Sequence, residues 1–548
     1  MDALNRLIEA DAVKRLASRD ASLYTESIDA RIPIMQRLGW NDLAQKAPGR
    51  FVLLENLTKA IVEEGATDLV LLGMGGSSLA PLVLSRVIGG APGKPRLHVL
   101  DTTSPVVVSR LLATLDPAGT FVLVSSKSGT TVEPLSLYAI LRAWLEETLP
   151  RPVAGRHCFV ITDPGTPLEK LRQRDLMRMT LSAPPTVGGR FSALTMFGLA
   201  PAALTGIDLE LLVSRAAAME DACRLPAAVN PGALLAAWMT DAYDAGHDKL
   251  TIVTSPALAS FGLWVEQLVA ESLGKDGRGI VPVIEHDPTL PSGYGDDRAV
   301  AVLRLEDDDI LASWSRDVAP THPVFEMTAR DAYDLGAEFV RWEHAVALVG
   351  FLQGVNPFNE PNVAEAKSAT AAILSGSTSV PPATADFDGS WATFAGGLEA
   401  PTSPPVSRTN ALRTLLATAA EGDYIAILAY LPDDESVLGP LNRCAKTVSD
   451  ATGRAVCVEI GPRYLHSTGQ LHKGGPNSGV FLLVTARDRT DIEIPGEKFR
   501  LAALHRAQAE GDLVTLAAHG RRILRIDLPS SEHGVVAALA EDIAGAVR

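Results

Sequence analysis

A turn rich in hydroxyl groups follows an apolar run in the stretch FVLVSSKSGTTVEP, residues 121–134. The run 121–124 is typical of a buried strand. The turn supplies hydroxyls, one cation and a flexible glycine: Ser126, Lys127, Ser128, Gly129, Thr130 and Thr131. A strand-to-helix turn aims free backbone N–H groups and the positive end of a helix dipole at one point, where an oxyanion binds. The lysine does not follow the wider loop of a Walker motif, so the pattern favours a small phosphate ester. An ordinary turn without a ligand is the alternative.

A second loop of this kind is GMGGSS, residues 73–78, which follows the predicted buried strand DLVLL, residues 68–72. The loop brings Gly76 and Ser77 to the end of a predicted strand, and its spacing is not the GxGxxG of a dinucleotide site. Ligands of parallel α/β sheets bind beyond the carboxyl ends of the strands. The two loops are therefore predicted to converge on one pocket.

Three further polar residues are candidates for anion binding or acid/base chemistry: Arg190, Glu271 and Lys367. Arg190 follows two glycines in VGGRFSALTMFG, where its rigid fork of donors can hold an anion; a surface salt bridge is the alternative. Glu271 ends the helical pattern WVEQLVAESLGK, one turn after Gln267, and a desolvated carboxylate there would be a stronger base. A solvated surface glutamate is the alternative. Lys367, in GVNPFNEPNVAEAK, has no local feature that marks it.

Apolar strand patterns alternate with helical ones along most of the chain, which predicts an α/β protein with doubly wound parallel sheets. We expect N-terminal helices over 1–65 that pack on the first sheet, a first domain over 66–215 and a second over 216–375. A Pro/Ser-rich linker is predicted over 376–410, followed by a C-terminal α/β domain over 411–548.

The composition excludes several classes of function. With 49 basic and 65 acidic residues the net charge is −16, which argues against a broad nucleic-acid or anionic-membrane surface. The four cysteines lack zinc-site spacing. The first twenty residues do not form a signal peptide, and no apolar run reaches the roughly 18 residues that span a bilayer. We therefore expect a soluble, cytoplasmic protein without a metal.

The order GGSS, SSKSGTT, GGRFS, QxxxESLGK and NPFNEPNVAEAK over about residues 65–370 resembles the phosphoglucose isomerase family, which is built from paired sugar-isomerase (SIS) domains. The resemblance implies reversible conversion of glucose 6-phosphate to fructose 6-phosphate through a cis-enediol, in glycolysis and gluconeogenesis, without a cofactor. It implies phosphate binding by Ser77, Ser126, Lys127, Ser128 and Thr131.

The same resemblance implies roles for the remaining polar residues. Arg190 would stabilise the enediolate, Glu271 would carry the proton between C2 and C1, and Lys367 would assist ring opening. The other residues expected to contact the sugar are Gly76, Gly189, Gln267 and Glu360.

The histidine that opens the sugar ring in this family is not where the family pattern puts it. Only His286 follows Glu271 at about the expected distance, in an unfamiliar context, whereas the motif LHSTGQ stands at 465–470. We predict that His466 fills the role; His472 and Lys473 are weaker candidates, and a purely structural His466 is the alternative. The C-terminal domain would then replace a partner subunit, so a monomer or a homodimer is expected. The chain looks like the isomerase half of transaldolase/phosphoglucose isomerase fusions, which suggests a functional link to transaldolase.

A second departure from the family is Glu360, which stands where a glutamine normally contacts the substrate. An extra carboxylate there would raise the basicity of nearby groups or weaken sugar binding. Two alternative functions stay open: a non-catalytic SIS sugar-phosphate sensor, and an isomerase that also accepts mannose 6-phosphate. A sensor would bind without turnover.

Overall fold

The computed structural model describes residues 2–285, 288 and 293–548, so His286 lies outside the described residues. The described strands are β1 Asp68–Leu72, β2 Arg96–Leu100, β3 Thr120–Ser125, β4 Cys158–Thr162, β5 Met179–Ser182, β6 Lys249–Thr254, β7 Val281–Glu285, β8 Arg298–Leu305, β9 Val324–Ala329, β10 Ala385–Phe387, β11 Ser390–Gly396, β12 Tyr424–Ala429, β13 Ala455–Ile460, β14 Gly479–Ala486 and β15 Arg522–Leu528.

The strands alternate with helices, as the sequence predicted. The described α-helices are α1 Asp2–Glu9, α2 Ala12–Ala17, α3 Ile28–Met35, α4 Leu43–Lys46, α5 Phe51–Glu63, α6 Leu79–Val87, α7 Pro105–Leu112, α8 Val132–Thr148, α9 Arg151–Arg156, α10 Pro167–Arg174, α11 Met196–Leu204, α12 Leu209–Ala222, α13 Pro231–Asp244, α14 Phe261–Leu273, α15 Asp309–Val318, α16 Leu335–Gln353, α17 Val363–Leu374, α18 Arg408–Leu416, α19 Glu435–Thr452, α20 Gly469–Gly474, α21 Leu501–Ala518 and α22 His533–Ala546. No helix in the described part of the chain has the length and apolarity needed to traverse a bilayer.

The first unit is a five-stranded parallel sheet in the order β2-β1-β3-β4-β5, with its helices. β1 and β3 are buried along their whole length because helices cover both faces. After β1 the chain crosses to β2 on one side, and after β3 it crosses to β4 on the other side. A crevice therefore opens between the carboxyl ends of β1 and β3. The two predicted phosphate loops follow these two strands and lie at that crevice.

The second unit repeats this arrangement with four parallel strands in the order β7-β6-β8-β9. Its long helix α16 is buried along most of its length and packs against α12, α13 and α14. The predicted boundary at residue 215 falls inside α12, which belongs to this helical layer. The predicted α/β class with parallel sheets is confirmed.

The third unit is a six-stranded sheet in the order β10-β11-β15-β14-β12-β13. Its strands β12 to β15 are parallel, whereas β11 pairs antiparallel with β15 from Trp391 to Gly396. The predicted linker over 376–410 therefore holds two strands of this sheet. The composition of this segment did not predict the two strands, because Pro- and Ser-rich segments flank β10 and β11 on both sides.

Contrary to the prediction from the sequence, the N-terminal helices do not all pack on the first sheet. Helix α5 packs on α11 of the first unit, but α1 packs on α13 of the second. The backbone N–H of Ala3 donates to Asp241 Oδ1 at 2.9 Å, and Tyr24 Oη donates to the Ala347 carbonyl at 3.2 Å. The buried face of α1, Ala3 and Leu7, meets an apolar helix layer that the second unit presents. These helices therefore join the first two units.

Candidate active site

The turn after β3 folds around the Ser126 hydroxyl. Ser126 Oγ lies 3.0 Å from Thr131 Oγ1 and accepts a hydrogen bond from the Gly129 N–H at 3.2 Å. Gly129 has a φ of 68°, a left-handed conformation that suits glycine. Ser128 Oγ lies 3.0 Å from Thr130 Oγ1 on the exposed side of the turn. Thr131 then precedes α8, so the hydroxyls surround a helix N-terminus, the geometry that binds phosphate.

Lys127 has an acidic partner that sequence reasoning missed. Its ammonium group forms an ion pair with Asp163, in the turn after β4, and donates to the Pro185 carbonyl at 3.4 Å. Burial lowers the pKa of Lys127, against the opposing effect of Asp163, and burial raises the pKa of Asp163. A phosphate bound at this turn would compete with Asp163 for the lysine. The one available signal was that Asp163 directly follows the apolar run 158–162, as Ser126 and Lys127 follow the run 121–124.

The turn after β1 touches two other parts of the site through its glycines. A Cβ atom added to Gly76 would lie 2.0 Å from the Gly189 carbonyl oxygen, so these two backbones are in direct contact. A Cβ atom added to Gly75 would lie 2.7 Å from the His466 carbonyl oxygen and 2.9 Å from Gln267 Nε2. The buried Ser77 follows in the same turn. The loop therefore meets both the arginine loop and the C-terminal unit.

Glu271 and Arg190 form a buried ion pair at the end of α14. Arg190 Nη1 lies 2.9 Å from Glu271 Oε1, and the two side chains are 3% and 11% exposed. The same nitrogen donates to Glu360 Oε2 at 3.2 Å. Gln267, one turn before Glu271 on the same helix face, donates to Glu271 Oε2 at 3.0 Å. The predicted carboxylate, its arginine, the glutamine and Glu360 are thus in one cluster.

Arg190 is fixed by hydrogen bonds from its other two nitrogens. Nε donates to Ser272 Oγ at 2.8 Å, and Nη2 donates to the carbonyls of Pro357 and Asn359 at 2.7 and 2.9 Å. Lys275, in the ESLGK motif, donates to the Asn356 carbonyl at 2.6 Å. The loop that carries Glu360 is therefore held against α14 by two basic side chains, Arg190 and Lys275.

The electrostatics of the cluster differ for its two carboxylates. Burial raises the pKa of Glu271 above its ordinary value; the Arg190 charge opposes this effect and the Glu360 charge adds to it. Burial acts in the same direction on Glu360, but Arg190 and Arg37 outweigh it and lower the pKa of Glu360. A raised pKa makes Glu271 a stronger base than an exposed glutamate.

His466 reaches this cluster from the third unit. Its carbonyl accepts a hydrogen bond from Gln267 Nε2 at 2.8 Å, and its Nε2 lies 2.9 Å from Glu133 Oε1. Gln508 also donates to Glu133 Oε1, at 2.8 Å. Burial alone would raise the pKa of Glu133, but the His466 charge and hydrogen bond outweigh it and hold that pKa below its ordinary value. Sequence reasoning missed Glu133, although it stands in the first turn of α8 directly after the phosphate loop.

The other predicted basic residues, Lys367, His472 and Lys473, form no hydrogen bond or ion pair with Glu271 or Arg190 within the described part of the chain. Lys367 is exposed on α17, and its charge contributes to the lowered pKa of Glu133. His472 pairs with Glu459 at 2.9 Å and Lys473 with Asp512 at 2.5 Å, both within the third unit. Among the described residues no His/Cys/Asp/Glu group is arranged to hold a metal ion.

Comparisons with known proteins match this architecture. The family model PGI, phosphoglucose isomerase, matches residues 57–287. A glucose-6-phosphate isomerase from Rubrobacter xylanophilus is 31% identical over 368 residues, which cover 58% of this chain and 85% of that protein. The crystal structure of a hypothetical protein from Thermus thermophilus has a TM-score of 0.59 at 26% identity and covers 68% of this chain and 97% of its own.

A glucose-6-phosphate isomerase from Chlamydia trachomatis shares the fold, with a TM-score of 0.52 at 20% identity over 66% of this chain and 78% of that one. The region that the family model matches holds both predicted phosphate loops, Arg190 and Glu271. It ends before Glu360, Lys367 and His466. The predicted relation to a transaldolase fusion stays a prediction.

Proposed function

Because this chain belongs to the phosphoglucose isomerase family, as its sequence predicted, we propose that it interconverts glucose 6-phosphate and fructose 6-phosphate. The observation that carries the proposal is the buried pair of Glu271 and Arg190, 2.9 Å apart beside the two phosphate loops. A raised-pKa carboxylate next to a fixed cation suits proton removal from a carbon that adjoins a carbonyl.

We propose a cis-enediol mechanism. Glu271 takes the proton from C2 of the open-chain aldose, and the negative charge that develops on the carbonyl oxygen is stabilised by Arg190. The same carboxyl then returns the proton to C1, while one proton passes from O2 to O1, so that the net change is a shift of two hydrogens. The hydrogen bond from Gln267 to Glu271 supports this role because it orients the carboxylate.

Ring opening precedes this step, and we propose His466 as its acid/base group. The contact with Glu133 supports the proposal because a carboxylate orients an imidazole and stabilises its protonated form. Lys367, whose charge acts on Glu133, would assist the same step.

The phosphate is proposed to bind between the two loops. Oriented hydroxyls and a helix N-terminus support this site, and Lys127 would exchange Asp163 for the phosphate. The groups proposed to hold the phosphate are Ser77, Ser126, Lys127, Ser128 and Thr131.

The decisive experiment is an isomerisation assay of Glu271→Gln. We expect kcat to fall roughly 10²- to 10⁴-fold, the usual contribution of a general base. The affinity for glucitol 6-phosphate, a reduced analogue without a carbonyl, should change less than about threefold in calorimetry, because the phosphate loops stay intact.

The matched control is Glu266→Gln. Glu266 lies on the same helix and burial raises its pKa well above the ordinary value, but it lines a cavity that Glu271 does not touch. This variant should keep near-normal turnover. Full activity in Glu271→Gln, or an equal loss in both variants, would contradict the proposed role of Glu271. Binding of the analogue without turnover by the wild-type protein would instead favour a sugar-phosphate sensor.

A further inference from the structure

A buried ionic cluster connects the third unit to the first. Arg463 Nε donates to Asp101 Oδ2 at 2.7 Å and Arg463 Nη2 to Asp101 Oδ1 at 2.8 Å, a bidentate pair. Nη2 also donates to Asp433 Oδ2 at 2.7 Å. Asp101 directly follows β2 of the first unit, whereas Arg463 and Asp433 follow β13 and β12 of the third. Asp101 is only 1% exposed, so water screens its contact with Arg463 less than it screens a surface ion pair.

The cluster adjoins the candidate histidine. Arg463 and His466 are the first and last residues of one 3-10 turn, and side chains three residues apart in such a turn lie one above the other. The His466 imidazole contacts Glu133 of the first unit, and its carbonyl contacts Gln267 of the second. A shift of Arg463 would therefore move His466 relative to both.

Packing does not hold the turn from every side. A cavity of about 650 Å³ lies against Arg463, Tyr464 and Ser467, and its walls include Glu266 but neither His466 nor Glu271. On another side Tyr464 Oη donates to Asp512 Oδ2 at 2.6 Å, within the third unit. Directional polar contacts, and not apolar packing alone, thus fix where this turn sits.

A buried ion pair is a weak source of stability because both charges lose their hydration. The geometry of the pair is nevertheless well defined, since a planar guanidinium donates two parallel hydrogen bonds to a carboxylate in only a few orientations. Burial disfavours the charged form of Arg463, but Asp101 and Asp433 outweigh it and raise the pKa of Arg463 above its ordinary range. The bidentate contact to Asp101 and the further contact to Asp433 therefore hold the guanidinium in one orientation.

We propose that Arg463, held by Asp101 and Asp433, is the positioning residue that sets His466 against the ring oxygen of the bound sugar. The docking of the third unit on the first is then coupled to ring opening and not to proton transfer between C2 and C1. This inference rests on the proposed function, in which His466 opens the ring and Glu271 moves the proton.

The test compares two substrates in Asp101→Asn and Arg463→Lys. Glucose 6-phosphate must be opened, whereas a four-carbon aldose 4-phosphate cannot close a ring. We expect kcat/KM for glucose 6-phosphate to fall about 10- to 100-fold, the effect of a displacement near 1 Å in a catalytic group. The value for the four-carbon substrate should change less than about threefold. The exchange of glucose 6-phosphate between its anomers, measured by exchange NMR, should slow by the same factor as kcat/KM for glucose 6-phosphate falls.

Two controls separate positioning from general damage. Asp542→Asn breaks an Arg–Asp pair inside the third unit, where Arg408 Nε donates to Asp542 Oδ2 at 2.5 Å. Arg110→Ala removes an exposed pair with Asp434 at the same junction of units. Both should leave the ratio of the two kcat/KM values unchanged. Asp433→Asn, which removes the charge behind a single hydrogen bond from Arg463, gives a milder form of the defect if Asp101→Asn folds poorly.

The outcomes distinguish this inference from the proposed function. If His466→Ala loses ring opening selectively and Asp101→Asn, Arg463→Lys and Asp433→Asn do not, the positioning role of Arg463 is wrong and the role of His466 stands. Equal losses on both substrates in the three cluster variants also overturn the inference. If His466→Ala slows both substrates equally, the proposed ring-opening role itself fails.

Discussion

Glu271 and Glu360 share the guanidinium of Arg190, at 2.9 and 3.2 Å. The cluster therefore holds two carboxylates beside one arginine, and Glu271 is the less exposed of the two. Burial and the charge of Glu360 raise the pKa of Glu271, whereas Arg190 lowers it. At the residue scale, the charge of Glu360 thus acts to raise the pKa of the candidate base, and whether Glu360 also weakens sugar binding stays open.

The pH dependence of the variant Glu360→Gln tests this adjustment. Glu271 acts as a base only when ionised, so activity is lost as the pH falls through its pKa. Removing the Glu360 charge favours the ionised form of Glu271, because Glu271 then becomes the only carboxylate of this cluster that pairs with Arg190. The pKa of Glu271 therefore falls. We expect the acidic limb of the kcat profile to move to lower pH. Glu365→Gln, a half-exposed carboxylate paired with His519, should leave the limb in place. A shift toward higher pH would contradict the assignment.

At the scale of elements, the site is built from turns at the carboxyl ends of β1 and β3 and from the 3-10 turn Gly189–Phe191. Gly76 contacts Gly189 through the backbone, and Ser192 Oγ donates to the Gly76 carbonyl at 3.2 Å. This close approach joins the phosphate loop to the residue next to Arg190. The distance between the loop after β1 and the arginine is therefore set by a glycine pair.

Gly76→Ala should separate these two turns. The new methyl group would lie 2.0 Å from the Gly189 carbonyl oxygen and 2.8 Å from the Arg190 nitrogen, and backbone atoms cannot yield as a side chain can. We expect a loss of stability of about 1–3 kcal/mol by overpacking, together with a higher KM. Thermal unfolding and steady-state kinetics measure the two effects. Gly49→Ala is the control, because nothing lies within 4 Å of its added methyl; an unchanged KM in Gly76→Ala would be evidence against a role for this contact.

At the scale of the whole molecule, one chain contributes every group of the candidate site. The first unit supplies the phosphate loops, Glu133 and Arg190; the second supplies Glu271; and the third supplies His466. Helix α17, which carries Lys367, packs on α21 of the third unit. We propose that the third unit completes a site that the family resemblance would otherwise assign to two subunits, so that a monomer is active.

Mixing two inactive variants tests whether the site lies within one chain. Glu271→Gln and His466→Ala, mixed after unfolding and refolding together, should show no recovery of activity if each site uses one chain. In a symmetric dimer with shared sites, random pairing would restore about a quarter of the wild-type activity. Such a recovery would contradict the single-chain site. Specific activity that stays constant on dilution is the second expected result.

The sequence by itself determined the α/β class, the two hydroxyl-containing turns after β1 and β3, and the helix face shared by Gln267 and Glu271, because strand, turn and helix patterns depend on residues close together in the chain. It also singled out His466, because the motif LHSTGQ lies later in the chain than the family pattern places it. Only the tertiary structure decided which groups pair across units. His466 and Glu133 are 333 residues apart, and Arg463 and Asp101 are 362 apart.

Two predictions failed for the same reason: the strands β10 and β11 inside the predicted linker, and the packing of α1 on the second unit. An antiparallel edge strand is stabilised by the strand beside it, and an amphipathic helix by the surface that covers its apolar face. Neither partner can be read from the local segment. The acidic partner of Lys127 was hidden likewise, because Asp163 becomes significant only when folding buries both charges at one strand end.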